Sequence, residues 1–266
     1  MTESGKLAVH GLSAGYGGKV VVDGVDLGPV APGRIISLLG PNAAGKTTLL
    51  RALAGLQPAQ GSVRLGDVEL LGLPLADHAE LVGYMPQNLP QRIGLSVIEA
   101  TISALRASSS DHAGASVQRL AEAALETLDR VGIGHLAMRE LGHLSGGQRQ
   151  LASLAQALVR APRVLLLDEP ISALDLHYQL RVMKLVREIA EGSGMIVIMV
   201  LHDLAMAARW SDSVVLLSGG RVAAEGPPAE AITAERLAEV YQVSARVEPA
   251  GRGLNIAIDD ILETPN

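Results

Sequence analysis

The sequence predicts an α/β protein: a largely parallel sheet covered by helices, with a helical segment inserted at 92–161. Three observations predict it. Compact apolar runs of buried-strand type recur, as RIISLLG ending at Gly40, VLLLDE ending at Glu169 and MIVIMVLHD ending at Asp203. Segments with helical apolar spacing follow or separate them. Between 94 and 160 the strand signals vanish and the chain reads as helical. Apolar residues make up 48% of a 266-residue chain, enough to bury a sizeable core.

Taken in order, residues 7–39 read as short strands broken by Gly and Pro, closing on RIISLLG. A Gly-rich turn leads to KTTLLRALAGL, a helix pattern that stops near Gly55 and Pro58. SVRLGDVEL reads as a hairpin turning at Gly66 and Asp67. In the inserted segment a polar break covers 108–114. Val117, Leu120, Ala121, Ala124, Leu125, Leu128 and Val131 then form one apolar stripe, stopped by Gly132. A helix pattern from Leu176 to Ala190 joins the last two buried strands, and SVVLLSGGRVAAEG reads as a strand pair around Gly219 and Gly220. Residues 251–266 read as a loosely held tail in which a short strand is left open.

Composition removes several classes. The net charge is −6, from 22 Lys plus Arg against 28 Asp plus Glu, which argues against broad nucleic-acid binding through phosphates. The chain has no cysteine, so disulfides and thiolate metal sites are excluded. The N-terminus lacks the apolar stretch of a signal peptide. The longest strongly apolar run, Met195–Leu201, falls well short of the roughly 20 residues of a membrane-spanning helix. Any work at a membrane is therefore expected to go through a partner. Met195, Met199 and Met206 near His202 are expected to pack in the core rather than bind metal.

The chemistry begins at residues 40–48, GPNAAGKTT, between a strand and a helix. Gly40 and Gly45 let backbone N–H groups close around a phosphate, with Pro41, Asn42, Ala43 and Ala44 forming the rest of the loop. The helix N-terminus adds positive potential. Lys46 can reach β- and γ-phosphates, and Thr47, followed by Thr48, offers a hydroxyl to Mg²⁺. Asp168 and Glu169 stand at the carboxyl end of a buried strand, where open α/β sheets place ligands. Successive strand residues face opposite ways, so the two carboxylates have separate tasks: Asp168 is assigned to the metal and Glu169 to the attacking water. A second Gly-rich helix start, LSGGQ, comprises Ser145 as N-cap, Gly146, Gly147 and Gln148.

With GPNAAGKTT, LSGGQRQ, VLLLDEP, SALD at Ser172–Asp175 and His202 in VLHD in this order, the chain resembles the nucleotide-binding subunits of ABC transporters over roughly residues 7–245. The resemblance implies a P-loop NTPase core with a mixed sheet and flanking helices, an N-terminal antiparallel β subdomain and an inserted α-helical subdomain. Residues 1–91 and 162–250 would make the core with the β subdomain, 92–161 the helical subdomain carrying LSGGQ, and 251–266 the tail. It further implies ATP and Mg²⁺ as ligands. Tyr16 would stack on adenine, Gln87 would read Mg²⁺ and water, His202 would contact the γ-phosphate, and Asp175 would be a dimer contact. The family works as a head-to-tail homodimer in which LSGGQ of one subunit covers ATP on the other. Its partners are integral-membrane permease subunits and, indirectly, a substrate-binding protein, at the cytoplasmic face of the membrane.

The later stretches look like the ATPases of iron-siderophore, haem and cobalamin importers. An ATPase for another cargo, an exporter subunit, a soluble ABC ATPase acting on DNA or ribosomes, and a catalytically dead ATP binder are the alternatives. A single domain, the acidic balance and intact Lys46, Asp168, Glu169 and His202 favour the first reading. Two residues depart from the family pattern. Ala43 stands where Gly usually follows Asn, at a cost of roughly 1 kcal/mol if φ is positive. Ile171 stands where Thr is usual after DEP.

Overall fold

The computed structural model describes residues 5–87, 94–107 and 116–262. The chain opens with β1 (Leu7–Tyr16), β2 (Lys19–Val30), β3 (Ile35–Leu39), α1 (Lys46–Leu53), β4 (Ala59–Leu65), β5 (Val68–Glu69), α2 (Leu75–Leu81) and β6 (Val82–Met85). Three helices follow: α3 (Val97–Arg106), α4 (Val117–Val131) and α5 (Gly146–Leu158). The chain then returns to alternation with β7 (Val164–Asp168), α6 (Leu176–Ser193), β8 (Ile196–Val200), α7 (Leu204–Trp210), β9 (Ser213–Ser218) and β10 (Arg221–Gly226). It closes with α8 (Pro228–Ala231), α9 (Ala234–Tyr241), β11 (Val243–Pro249) and β12 (Leu254–Ile261).

The central sheet has the order β10-β9-β3-β8-β7-β6, parallel except for the β9–β10 hairpin. β3, β7 and β8 are buried at every position, as expected of strands covered on both faces. Alternate residues enter two different cores. Ile36, Leu38, Leu166, Ile198 and Val215 pack with Leu49, Leu50 and Leu53 of α1 and with the apolar face of the antiparallel sheet β2-β1-β4-β5. Leu39, Leu165, Leu167, Val197 and Leu216 pack against α5, α6 and α7. Each fully buried leucine contributes roughly 2–3 kcal/mol of hydrophobic stabilisation. The fold is thus the α/β architecture with mixed sheet, antiparallel β layer and helical insertion that the sequence predicts.

Three details differ from the sequence reading. Residues 7–39 read as short strands broken by glycine, but β1 and β2 run straight through Gly11 and Gly24. Both glycines have positive φ, and their amides donate to Asp26 Oδ1 and Ser13 Oγ, so they mark bulges in the pairing rather than strand ends. In α4 the buried stripe narrows to Leu120, Ala124, Leu128 and Val131, while Val117 and Leu125 are exposed; Gly132 ends the helix in the left-handed conformation, as expected. The loose tail expected at 251–266 gives way, over its described part, to β12, which pairs antiparallel with β11. Alternate residues of that hairpin, Val243, Ala245 and Val247 with Leu254 and Ile256, lean on the core. The polar break at 108–114 lies outside the described residues. Met195 and Met199 are core residues, and Met206 is partly buried against the same core.

Candidate active site

The phosphate loop follows the buried β3 and turns into α1. Gly40 (φ +143°) has no room for a side chain, since a Cβ there would lie 2.2 Å from the Leu217 carbonyl oxygen. Gly45 (φ +100°) is the N-cap of α1, which carries neither a side-chain cap nor an acidic residue in its first turn. No residue of the helix's own first turn therefore neutralises its positive end. Lys46 Nζ donates to the carbonyls of Gly40 at 2.6 Å and Pro41 at 2.8 Å. Burial lowers its ammonium below the usual lysine range, against the pull of the Glu169 and Asp168 charges.

Ala43 sits at φ +64°, the left-handed region that its Cβ disfavours. Ala43→Gly is therefore expected to bind ATP equally well or up to about threefold more tightly, relieving about 1 kcal/mol of strain less the extra chain entropy of Gly. Isothermal titration checks this, and a large loss of affinity would show that the methyl group itself serves the site.

At the acidic strand end the two carboxylates part company. Asp168, the last residue of β7, accepts from Thr47 Oγ1 at 3.2 Å and from Tyr84 Oη at 3.4 Å. Burial pushes its carboxyl above the usual range, against the Thr47 bond, and the neighbouring Glu169 charge adds to the push. Tyr84 is itself raised, by burial and then by Asp168, and so remains an O–H donor. Glu169 leaves the strand with φ +54°, a strained conformation that turns it away from Asp168's partners. Its Oε1 lies 2.7 Å from His202 Nε2. The two carboxylates thus diverge through a left-handed turn just past the strand, not through the strand alternation expected from the sequence.

Asn42, Ala43, Ala44, Gly45, Lys46, Thr47, Thr48, Glu169 and His202 line one cleft of about 410 Å³, together with residues of β2 and the Gly219–Gly220 turn. LSGGQ lies elsewhere. Ser145 and Gln148 form a reciprocal capping box at the start of α5, and a Cβ at Gly147 would lie 3.0 Å from the Leu174 side chain, so that a larger residue would need Leu174 to shift. Ser145, Gly146, Gly147 and Gln148 line a second cleft of about 360 Å³ with Asp175, the N-cap of α6. The two clefts share no lining residue.

Residues 23–172 match the sequence model of a protein family described as ABC transporter. The chain belongs to the ABC transporter family. Among relatives of this ABC ATPase, the hemin import ATP-binding protein HmuV of Streptomyces coelicolor is 41% identical over 92% of this chain and 86% of its own. HmuV of Hahella chejuensis is 40% identical over 82% of this chain and 86% of its own. A chain from an inward-facing structure of a transporter assigned to the metal-chelate type superposes with a TM-score of 0.79, at 25% identity, over 98% of this chain and 99% of that one. A dimeric ATP-binding cassette bound to ADP and Pi, 24% identical over 84% of this chain and 98% of its own, shares the fold with a TM-score of 0.73.

As an ABC ATPase the chain binds and hydrolyses ATP, and its oxygen donors suit Mg²⁺. Asp168 is a carboxylate disfavoured by burial and by a neighbouring charge, with the Thr47 hydroxyl beside it, which is the setting a hard divalent cation relieves. Gln87 lies exposed two residues beyond β6, next in the sheet to the strand that ends in Asp168. Tyr16 ends β1 half-exposed and is not among the residues lining the phosphate cleft. Ile171 is buried in the core against the helices, which accounts for an apolar residue there.

Gln150, the last residue of LSGGQRQ, is a residue to which the sequence reading assigns no role. From α5 its Nε2 donates to the Glu169 carbonyl and, at 3.2 Å, to Ser172 Oγ, while its Oε1 accepts from the Ala173 amide at 3.1 Å. It ties the LSGGQ helix to the end of β7. The available signal is a glutamine on the face of α5 that buries Leu151, Leu154 and Ala157.

Proposed function

We propose that this ABC ATPase powers import of hemin or a related metal chelate, working as a head-to-tail homodimer beneath membrane permease subunits. The observation that carries the dimer is the separation of the two clefts: Lys46, Glu169 and His202 converge on one, while LSGGQ and Asp175 open on the other. One copy holds half of each ATP site, and a second copy, turned around, supplies the other half. The cargo rests on the HmuV relatives, whose likeness extends over most of the chain.

In this reading Lys46 exchanges the Gly40 and Pro41 carbonyls for β- and γ-phosphate oxygens. Asp168 and Thr47 would hold Mg²⁺, and Gln87 would read the metal and the water; when bound, the metal would neutralise charge on the phosphates. Glu169 orients the water that attacks the γ-phosphorus and receives its proton, while His202, already on Glu169, bridges to the γ-phosphate. Tyr16 stacks on adenine from the rim. The unit sits at the cytoplasmic face, is linked only indirectly, through the permease, to a substrate-binding protein, and uses no nucleic acid. No helix among the described residues is long and apolar enough to cross a membrane.

Affinity purification from detergent-solubilised membranes of the source cell tests the assembly. The expected result is a multispanning permease in stoichiometric yield, with hemin uptake lost when the ATPase gene is deleted. Recovery with ribosomes or DNA alone, or unchanged hemin uptake on deletion, would overturn the respective half of the proposal.

A further inference from the structure

We infer that Tyr241, near the C-terminus, is a positioning residue for the phosphate loop: its hydroxyl anchors the Gly40 amide at the root of the loop. The inference rests on the phosphate-loop reading above. Gly40 is buried, and its N–H donates to Tyr241 Oη at 2.7 Å across 201 positions of sequence. Its carbonyl accepts from Lys46 Nζ, and the Leu217 carbonyl blocks any side chain. The residue on which the loop pivots is therefore gripped from three directions. Binding ATP removes one grip, because Lys46 must leave the Gly40 and Pro41 carbonyls to reach phosphate. The Tyr241 contact involves no group that ATP needs, so it persists and keeps the loop from following the lysine.

The tyrosine is well braced for this. It is the last residue of α9, whose Leu237 and Val240 are buried against the core, and Gln242 (φ +57°) turns the chain directly into β11. α9 packs on β9 and β10, while β12 packs on α7, which begins two residues after His202. The C-terminal segment thus reaches the root of the loop through Tyr241 and is held to the rest of the fold by the packing of β12 on α7.

Tyr241→Phe removes only the hydroxyl and leaves a buried amide without its acceptor. The expected result is an ATP Kd and KM raised about tenfold, with kcat at saturating ATP within about twofold of the parent. Hydrogen exchange at the Gly40 amide should be faster in both the free and ATP-bound protein. Val240→Ala is the control: it loosens α9 and lowers Tm while leaving the ATP Kd unchanged. An unchanged ATP Kd in Tyr241→Phe, whatever happens to Tm, overturns the inference, as does equal weakening by Val240→Ala. If Lys46→Ala also keeps full ATP affinity, the phosphate-loop reading fails with it; if only Tyr241→Phe is silent, the tyrosine inference alone falls.

Discussion

Glu169→Gln is expected to bind ATP as the parent does and to hydrolyse it about 10²–10³-fold more slowly, the contribution of a general base. The substitution is nearly isosteric, and Gln Oε1 can still accept from His202 Nε2 where Glu169 Oε1 lies at 2.7 Å. What is lost is the ability to take a proton from water. With chemistry stalled, the ATP-bound dimer should accumulate, visible as a doubling of apparent mass by size-exclusion chromatography with ATP and Mg²⁺. Single-turnover phosphate release measures the rate. A turnover within a few-fold of the parent would remove Glu169 from the chemistry.

Lys46→Ala is expected to weaken ATP binding by about 10²–10³-fold, since two charge-assisted contacts to phosphate disappear together. Lys46 is 7% exposed, so its removal also leaves the Gly40 and Pro41 carbonyls without their donor. Circular dichroism separates the two effects: the fold should persist, because the Tyr241 hold and the apolar packing of Leu49 and Leu50 are untouched. Titration calorimetry reads the affinity, and an unchanged Kd would refute the role given to the lysine.

What the sequence revealed and what it hid divide along a physical line. The turn at residues 40–45 into a helix starting at Lys46 and Thr47 was legible because turn and helix-start signals lie within a few residues of one another. The strands β3, β7 and β8 were legible because burial on both faces leaves an unbroken apolar run. Gln150 and Tyr241 were not legible, because each acts on a backbone group many positions away and any polar side chain of the right reach looks alike in sequence. The bulges at Gly11 and Gly24 were misread as strand ends, since glycine at positive φ serves either purpose and only pairing with a second strand decides. Glu169's left-handed backbone was hidden for a related reason: glutamate carries no local sign that it must adopt a strained φ.

The Gln150 tie has a consequence for how the two layers of the molecule communicate. Gln150 grips the main-chain carbonyl of residue 169, not its carboxylate. The helical layer is therefore sensitive to where the strand end sits and blind to what side chain it carries. A change of side chain at position 169 leaves in place the carbonyl that ties the strand end to the LSGGQ helix.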